Sequence, residues 1–453
     1  MDKEKLGNMP LKKLILYMAI PMVLAQLVNL LYNLVDRIYV GRIPEVGTMA
    51  LTGLGVAFPI IILISAFGGL VGSGGGTRVA IALGEKKYDK AEKILGNSFL
   101  LLVFFSVICL IVFYIFKDPL LIFFGASENS LPYASSYLGI YLIGTLSIMV
   151  TLSLNMFITS QGFTKVSMIT VIIGCIANII LDPIFIFGFN MGVEGAALAS
   201  VISQTISAIF VIVFLCSKKS IIRLKFSQMK INFKIIGAIV AIGISTFVMQ
   251  ATESLIQLVF NKGMQTYGND YYIALMTIMF SSMQMIMLPL MGFCQGVQPV
   301  ISYNYGAKNI DRVKKTFWIM FKICLGYSLV VIGLIEVFPT LIIRIFTDDI
   351  NVIGIGAKPM RIFLMGISLM GAQIACQQTF VALGRAKTSL FLAMLRKIIL
   401  LIPLAIIIPL VTDLGVYGLY IAEAISDIMA ITVTIVLFIS TRKKLFVVPN
   451  EEI

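Results

Sequence analysis

The sequence predicts an all-α integral membrane protein of about twelve transmembrane helices, arranged as two parallel six-helix repeats. Three observations support this fold class: an apolar composition, regularly spaced apolar runs and an internal repeat. Of the 453 residues, 59% are hydrophobic and only 13% are charged, and the mean hydropathy is +1.00. Because soluble domains carry about a quarter charged residues, this composition excludes an ordinary soluble protein.

Twelve apolar runs follow one another along the chain, each long enough to cross a bilayer at about 20 residues per helix. They lie at roughly 14–36, 49–73, 94–116, 136–158, 167–188, 193–216, 235–260, 273–296, 316–339, 359–382, 390–411 and 415–439. We expect each run to form one transmembrane helix.

Lysine and arginine are concentrated in alternate loops. The amino terminus, the loops after even-numbered runs and the carboxyl tail hold most of them, and the opposite loops hold only Arg37, Arg42, Lys117, Lys262, Arg344, Lys358 and Arg361. The positive-inside rule therefore predicts a multi-pass protein of the cytoplasmic membrane with both termini in the cytoplasm. The net charge of +13 follows from this topology, and no nucleic-acid partner is expected.

Short motifs recur at a constant distance. Gly84 begins the run Gly-Glu-Lys-Lys-Tyr-Asp-Lys, which matches Gly-Ala-Lys-Asn-Ile-Asp-Arg from Gly306 at a shift of 222. Gly192 and its neighbours match the run from Gly415 at a shift of 223. Helices 1–6 and 7–12 are therefore predicted to be two copies of one unit.

The repeat divides the chain into two lobes and a linker. We predict an amino-terminal lobe at 1–216, a cytoplasmic inter-lobe linker at 217–234, and a carboxyl-terminal lobe with a short cytoplasmic tail at 235–453. Because each copy has an even number of spans, both insert with the same orientation. Two parallel lobes around a central cavity are typical of an alternating-access transporter, and a simple channel has less need of them.

The fifth apolar run contains an amide and a carboxylate near its centre. Asn178 and Asp182 are four residues apart, so they share one face of a helix, and Pro183 follows directly. A carboxylate at this depth costs about 2.5–3.5 kcal/mol and requires a partner. We interpret the element as a site for a small cation or a proton. The alternative is a proline-kinked helix whose Asp182 only bonds a neighbouring helix.

Polar stripes also follow the first helix of each lobe. The first run carries Gln26, Asn29, Asn33 and Asp36, and the seventh carries the matching set Gln250, Glu253 and Gln257. Asn155 on the fourth run adds to the predicted central cavity. The alternative is that these side chains are packing contacts between helices.

The two acids of these stripes, Asp36 and Glu253, have different sequence neighbours. Asp36 adjoins Arg37, so an interfacial ion pair is the alternative to a functional role. Glu253 has no evident cationic partner in the sequence, and a functional role is favoured.

The predicted cavity is acidic to neutral, because Lys322 is the one clear lysine within a run and it can reach the membrane surface. Such a cavity favours cationic or neutral amphiphiles. Met283 and Met287 lie in a methionine-rich eighth run, and methionine surfaces adapt to varied ligands. Ordinary packing or lipid contact is the alternative interpretation of these methionines.

No catalytic constellation is found. The chain has no histidine, no Cys-x-x-Cys spacing and no Walker motif. The glycine-rich stretch from Gly68 to Gly76 has no preceding strand and is interpreted as a place of close helix packing or a hinge. We therefore expect that the protein is not an enzyme and that it binds no cofactor and no transition metal.

The two repeats, the Asn178…Asp182-Pro183 element and the Gly192-x-x-Gly195-Ala-Ala start of the sixth run resemble the multidrug and toxic compound extrusion (MATE) family. The similarity covers nearly the whole chain and looks closest to the bacterial DinF-like and staphylococcal multidrug-exporter branch. It implies a V-shaped pair of lobes, and we expect a monomer in the lipid bilayer.

The resemblance also implies a cation site in the amino-terminal lobe, which by position would use Asp36, Asn178, Asp182 and Ser200 for Na⁺ or H⁺. Another branch of the family uses acids on helices 7 and 10. Glu253 matches the first of these, but no carboxylate stands near Gln373, so a carboxyl-lobe cation site is not expected. Glu253 is instead expected to attract a cationic drug.

The function that the resemblance implies is secondary active multidrug efflux: antiport of organic cations and amphiphilic drugs against inward Na⁺ or H⁺, by alternating access. The alternative is a flippase for lipids or lipid-linked oligosaccharides from the same wider superfamily. A flippase would need basic residues in the cavity to hold a diphosphate, and the sequence is expected to lack them.

Overall fold

The computed structural model describes residues 5–268, 270–346 and 350–447. Both termini, whose cytoplasmic location is a prediction, lie outside the described residues. Within those ranges the chain is helical and contains no strand. Eleven of its helices are long and apolar enough to cross a membrane, and a pair bent by 59° gives a twelfth. The predicted fold class is confirmed.

The helices are numbered α1–α12 here in chain order. The first six are α1 Leu11–Gly41, α2 Gly47–Gly84, α3 Tyr88–Ile115, α4 Leu131–Ile143 with Thr145–Ser160, α5 Thr164–Pro183 with the π-helical turn Ile184–Gly188, and α6 Gly192–Cys216. The others are α7 Phe233–Tyr267, α8 Asp270–Gly306, α9 Ile310–Val337, α10 Ile350–Leu364 with Ile367–Ala382, α11 Ala386–Met394 with the π-helical stretch Leu395–Leu401 and Ile402–Val411, and α12 Val416–Leu445.

Each of the twelve predicted runs corresponds to one of these helices, and the runs of α3, α9 and α12 extend one or two residues past the helix. In contrast, α2 and α8 continue about three turns beyond the predicted ends at 73 and 296. The continuation of α2 begins in the glycine-rich stretch. Glycine weakens an isolated helix, but this part of α2 is stabilised because neighbouring helices pack against it.

The two lobes meet mainly through α2 with α7 and through α1 with α8. At the first contact a side chain on Gly74 would overlap the carbonyl of Ile239, and one on Gly243 would overlap the carbonyl of Leu70. These glycines therefore allow direct backbone contact between the lobes. The glycine-rich stretch is a site of close helix packing, as predicted.

The linker between the lobes packs against the amino-terminal lobe. The side-chain oxygen of Gln161 accepts hydrogen bonds from Ser220 Oγ (2.9 Å) and from the backbone nitrogens of Ile221 (2.8 Å) and Ile222 (3.1 Å). Farther along, Lys225 pairs with Glu92 at 2.7 Å. The linker thus runs along the surface of the amino-terminal lobe before α7 begins.

Candidate cation-binding site

The residues predicted to bind a cation come together between α1, α5 and α6. Asn178 Nδ2 donates to Asp182 Oδ1 at 3.1 Å and lies 3.5 Å from Ser200 Oγ. Asn178 and Asp182 are fully buried, Ser200 is 1% exposed and Asp36 is 8% exposed. Asp36 lies within electrostatic range of Asp182. The arrangement follows from the four-residue spacing on α5, which places its two polar side chains on the face toward α6.

Three oxygens at this site are buried and have no hydrogen-bond partner: Asp36 Oδ1, Asn178 Oδ1 and Asp182 Oδ2. Buried polar atoms are normally satisfied, so three such acceptors at one place require an explanation. A bound proton or cation would provide the positive charge that these oxygens lack. Carboxylate, amide and hydroxyl oxygens are hard ligands that suit Na⁺, and a carboxylate also accepts H⁺.

Tyr32 belongs to the same site, although the sequence analysis did not include it. Its hydroxyl lies 3.2 Å from Ser200 Oγ, and it precedes Asp36 by one turn of α1. The spacing of four between Tyr32 and Asp36 could have identified it. Tyr137 and Tyr141 of α4, whose rings stack 5.8 Å apart, lie within electrostatic range of Asp36 and close the site on that side.

Among the described ion pairs, none joins Asp36 to Arg37. The guanidinium of Arg37 instead lies over the ring of Phe58, 5.3 Å from its centroid. Asp36 and Arg37 therefore form no direct ion pair there, although they remain within electrostatic range, and Asp36 also lies within range of Asp182.

The carboxyl-terminal lobe contains a cluster of charges that contradicts the expectation of a cavity without a buried base. Glu253 of α7 forms an ion pair with Lys397 of α11. Arg396 Nε donates to Asp427 Oδ1 of α12 at 2.6 Å, and Arg396 Nη2 lies 3.6 Å from Glu423 Oε1. The prediction that Glu253 lacks a cationic partner was therefore wrong. Lys397 and Arg396 are kept within the apolar span by carboxylates on neighbouring helices.

The sequence contains signals for this cluster. Arg396 and Lys397 lie inside the eleventh predicted run, and Glu423 and Asp427 are four residues apart in the twelfth, the same spacing as Asn178 and Asp182. The two lobes use equivalent positions, because Ser200 corresponds to Glu423 at the shift of 223.

The predicted cavity residues of the amino-terminal lobe have separate environments. Gln26 Nε2 donates to Gln295 Oε1 at 3.0 Å and so joins α1 to α8 of the other lobe. Asn33 is exposed and donates to the carbonyl of Asn29, which is half-buried, at 2.7 Å. Asn155 donates to the carbonyl of Ser167 at 3.2 Å. Gln26 thus connects the two lobes, and Asn155 connects helices within its lobe.

In the carboxyl-terminal lobe, Gln250 packs directly on Gly69 of the opposite lobe, and Gln257 is half-buried. Met283 and Met287 are half-buried and pack against the core of their own lobe. The structure brings Gln26 and Gln250 to the lobe interface. It does not bring the methionines into the cation site.

The described residues contain no group of three or more histidine, cysteine, aspartate or glutamate side chains that could hold a metal. The candidate cation site has two carboxylates, completed by amide and hydroxyl groups. This set consists of hard oxygen ligands, whereas transition-metal sites commonly use thiolate or imidazole ligands.

The family model described as MatE matches the chain twice, at residues 21–184 and 245–407. The multidrug export protein MepA of Staphylococcus saprophyticus is 27% identical over 431 residues, covering 93% of each chain. The protein of the same name from Staphylococcus aureus is 27% identical over 435 residues and covers 94% of each chain.

Solved structures have the same fold. One described as the outward-facing conformation of a multidrug resistance MATE family transporter of the MOP superfamily has a TM-score of 0.91 and 23% identity, covering 98% of this chain and 99% of that one. Since the two matches of the family model together span most of the sequence, this chain belongs to the MatE family of multi-pass membrane proteins.

Proposed function

We propose that this protein exports cationic or amphiphilic compounds by antiport against Na⁺ or H⁺, which enter at the site of Asp36, Asn178, Asp182 and Ser200. The observation that supports the proposal best is the group of three buried oxygens without partners at that site. The names of the relatives as multidrug export proteins support the direction and the class of substrate.

In the proposed cycle, cation binding neutralises a buried charge that two nearby carboxylates otherwise share. Because Asp36 lies on α1 and Asp182 lies on α5, the bound cation draws these helices together. Gln26, on the same helix as Asp36, joins the lobes through Gln295, so a movement of α1 changes the lobe interface. A ligand shifts this equilibrium only by its difference in affinity between the two states.

The lobes make close backbone contact on the side of the basic loops, so we infer that the substrate path opens on the opposite side. With the basic loops and both termini in the cytoplasm, this arrangement is outward-facing. We propose a monomer in the cytoplasmic membrane. One charge moving inward across ~100 mV supplies ~2.3 kcal/mol, equivalent to about 50-fold accumulation.

A flippase for phosphorylated lipids is the second candidate, and the observation that favours it is the presence of Arg396 and Lys397 within a span. Both cations are already paired with carboxylates, which leaves neither as a ready partner for a diphosphate. Cation export is therefore the better-supported function.

The test is export of a cationic dye by purified protein in liposomes, with a Na⁺ gradient and a pH gradient imposed separately. We expect one gradient to drive export and Asp182→Asn to abolish the response. Asp89→Asn, which changes an exposed carboxylate at the start of α3, is the matched control. Dye movement that ignores both gradients and persists in Asp182→Asn would disprove the coupling site.

A further inference from the structure

A cavity of about 420 Å³ lies between the two lobes on the side of the basic loops. The end of α2 and the start of α3 line it from the amino-terminal lobe, and the end of α8 lines it from the other lobe, together with the turn between α10 and α11. Its charged lining consists of five basic residues and one acidic residue: Arg78, Lys86, Lys87, Lys90, Lys308 and Glu85.

One carboxylate, Glu85, stands among the five basic residues of the described lining. Glu85 pairs with Lys87 at 3.1 Å and with Lys90 at 3.8 Å, and it also lies within electrostatic range of Arg78. Arg78, on the last turns of α2, has a buried Nε with no hydrogen-bond partner. A buried guanidinium N–H without an acceptor indicates a place for an external anion, because such groups are normally satisfied.

The two repeats each contribute a lysine in an unusual backbone conformation. Lys86 has φ +60° and Lys308 has φ +58°, in the left-handed region that glycine or asparagine normally occupies at a helix end. The positions are equivalent at the shift of 222. Both copies thus have a long basic side chain where the backbone favours a smaller residue, and both lysines line the same cavity. Topology alone requires basic loops, and it does not require their convergence in one cavity.

We propose that this cavity binds an anion that carries phosphate groups and that the bound anion holds the lobes together on this side. Lysine and arginine are the usual partners of phosphate oxygens. The volume is far larger than a monatomic ion needs, and the five basic side chains of the lining suit a multiply charged ligand. Because both lobes line the cavity, the anion binds best while they are in contact and therefore stabilises that state.

The anion comes either from a phospholipid headgroup or from a soluble phosphate compound. The probe for the soluble source is inorganic pyrophosphate, added to protein in phosphatidylcholine nanodiscs. The probe for the lipid source is a nanodisc that contains phosphatidylglycerol. Binding of pyrophosphate in phosphatidylcholine that phosphatidylglycerol does not weaken supports a soluble ligand. Phosphatidylglycerol that competes with pyrophosphate supports a headgroup.

The variant is Lys86→Asn/Lys308→Asn, since asparagine tolerates the left-handed conformation while the two long cationic side chains are removed. We expect pyrophosphate to bind at least tenfold more weakly to this double variant and to Arg78→Gln. The matched control is Lys218→Asn/Lys219→Asn, which removes two exposed charges from the linker outside the cavity. Equal affinity of the variant and the control for pyrophosphate would overturn the proposal. So would the absence of pyrophosphate binding, if the separation of the lobes is also the same in phosphatidylcholine and in phosphatidylglycerol nanodiscs.

A second measurement needs only the native cavity. Lys93 and Lys315 are exposed, equivalent positions on α3 and α9, one in each lobe. Spin labels at these positions report the separation of the lobes on the basic side. We expect pyrophosphate to increase the short-distance population, and no change in the distances at saturating probe would overturn the proposed effect. Neither measurement depends on export, so both results are independent of the proposed function.

Discussion

Asn178 donates its amide hydrogen bond to one oxygen of Asp182 and leaves the other carboxylate oxygen buried without a partner. The pair therefore orients the carboxylate without satisfying it. A structural kink would need only the first contact. A cation site needs both: a fixed carboxylate and a free oxygen directed at the ligand.

Ser200→Ala tests whether the hydroxyl on α6 contributes to cation binding. The change removes the contacts with Asn178 and Tyr32 and fits within the buried site. We expect about tenfold weaker apparent affinity for the coupling cation, or ~1.4 kcal/mol, with little loss of stability. The measurement is dye export as a function of the Na⁺ or H⁺ gradient.

The matched control is Ser203→Ala. Ser203 is buried one turn along α6, and its hydroxyl donates to the carbonyl of Ser200 at 3.0 Å, away from the carboxylates. If both alanine variants change the cation dependence equally, the hydroxyl of Ser200 has no specific role.

Glu253→Gln tests the ion pair of the carboxyl-terminal lobe. The change leaves Lys397, whose side chain is 11% exposed, without its counter-ion. The Glu253 side chain is 36% exposed, so we expect a loss at the lower end of the range for buried pairs, ~3 kcal/mol. The measurement is the midpoint of thermal unfolding of the purified protein.

The double variant Glu253→Gln/Lys397→Met removes both charges and should recover most of that stability, because an apolar pair avoids the uncompensated ammonium. A double variant as unstable as the sum of its single changes would mean that the two side chains do not interact.

Much of the architecture could be predicted because its signals are local. Apolar runs, basic loops and the repeated motifs of Gly84 and Gly306 are properties of adjacent residues, and the described helices agree with them. The pair Asn178 and Asp182 was found for the same reason, since a spacing of four within one helix fixes their relative placement.

Contacts between separate helices could not be predicted in this way. Glu253 and Lys397 are 144 residues apart, and nothing local joins them. Lys397 and Arg396 were overlooked because each is a single charge in an otherwise apolar run. Their stability in the span depends on carboxylates from α7 and α12, which only the packing of the lobe brings together.

Gly74→Leu tests the contact between the lobes. A side chain at Gly74 would overlap the backbone of Ile239, so α2 and α7 must separate on the basic side. We expect loss of export. In a cysteine-free protein that carries Thr77→Cys, we also expect a maleimide added on the basic side to label this cysteine faster. Thr77 is 3% exposed and accepts a hydrogen bond from Gln298 across the interface.

Gly237→Leu is the matched control for the lobe contact. Gly237 lies on α7, less than two turns before Gly243, and a side chain there would have no neighbour within 4 Å. Equal labelling of Thr77→Cys in the Gly74→Leu and Gly237→Leu backgrounds would mean that close packing at Gly74 does not hold the lobes together.

Arg312 of α9 joins the carboxyl-terminal lobe to the segment before α1. Its guanidinium donates to the side chain of Asn304 at 3.0 Å and to the carbonyls of Met9 at 3.0 Å and Leu6 at 3.4 Å. Arg312→Lys should release this segment, because one ammonium cannot reproduce the planar fork of donors. We expect about tenfold faster tryptic cleavage near Lys12, measured by intact mass, equivalent to ~1.4 kcal/mol of local stability.

The matched control is Lys315→Gln, an exposed change one turn along the same helix, and this variant should be cleaved at the native rate. Native cleavage rates in Arg312→Lys would show that its charge alone, without the fork geometry, holds the segment.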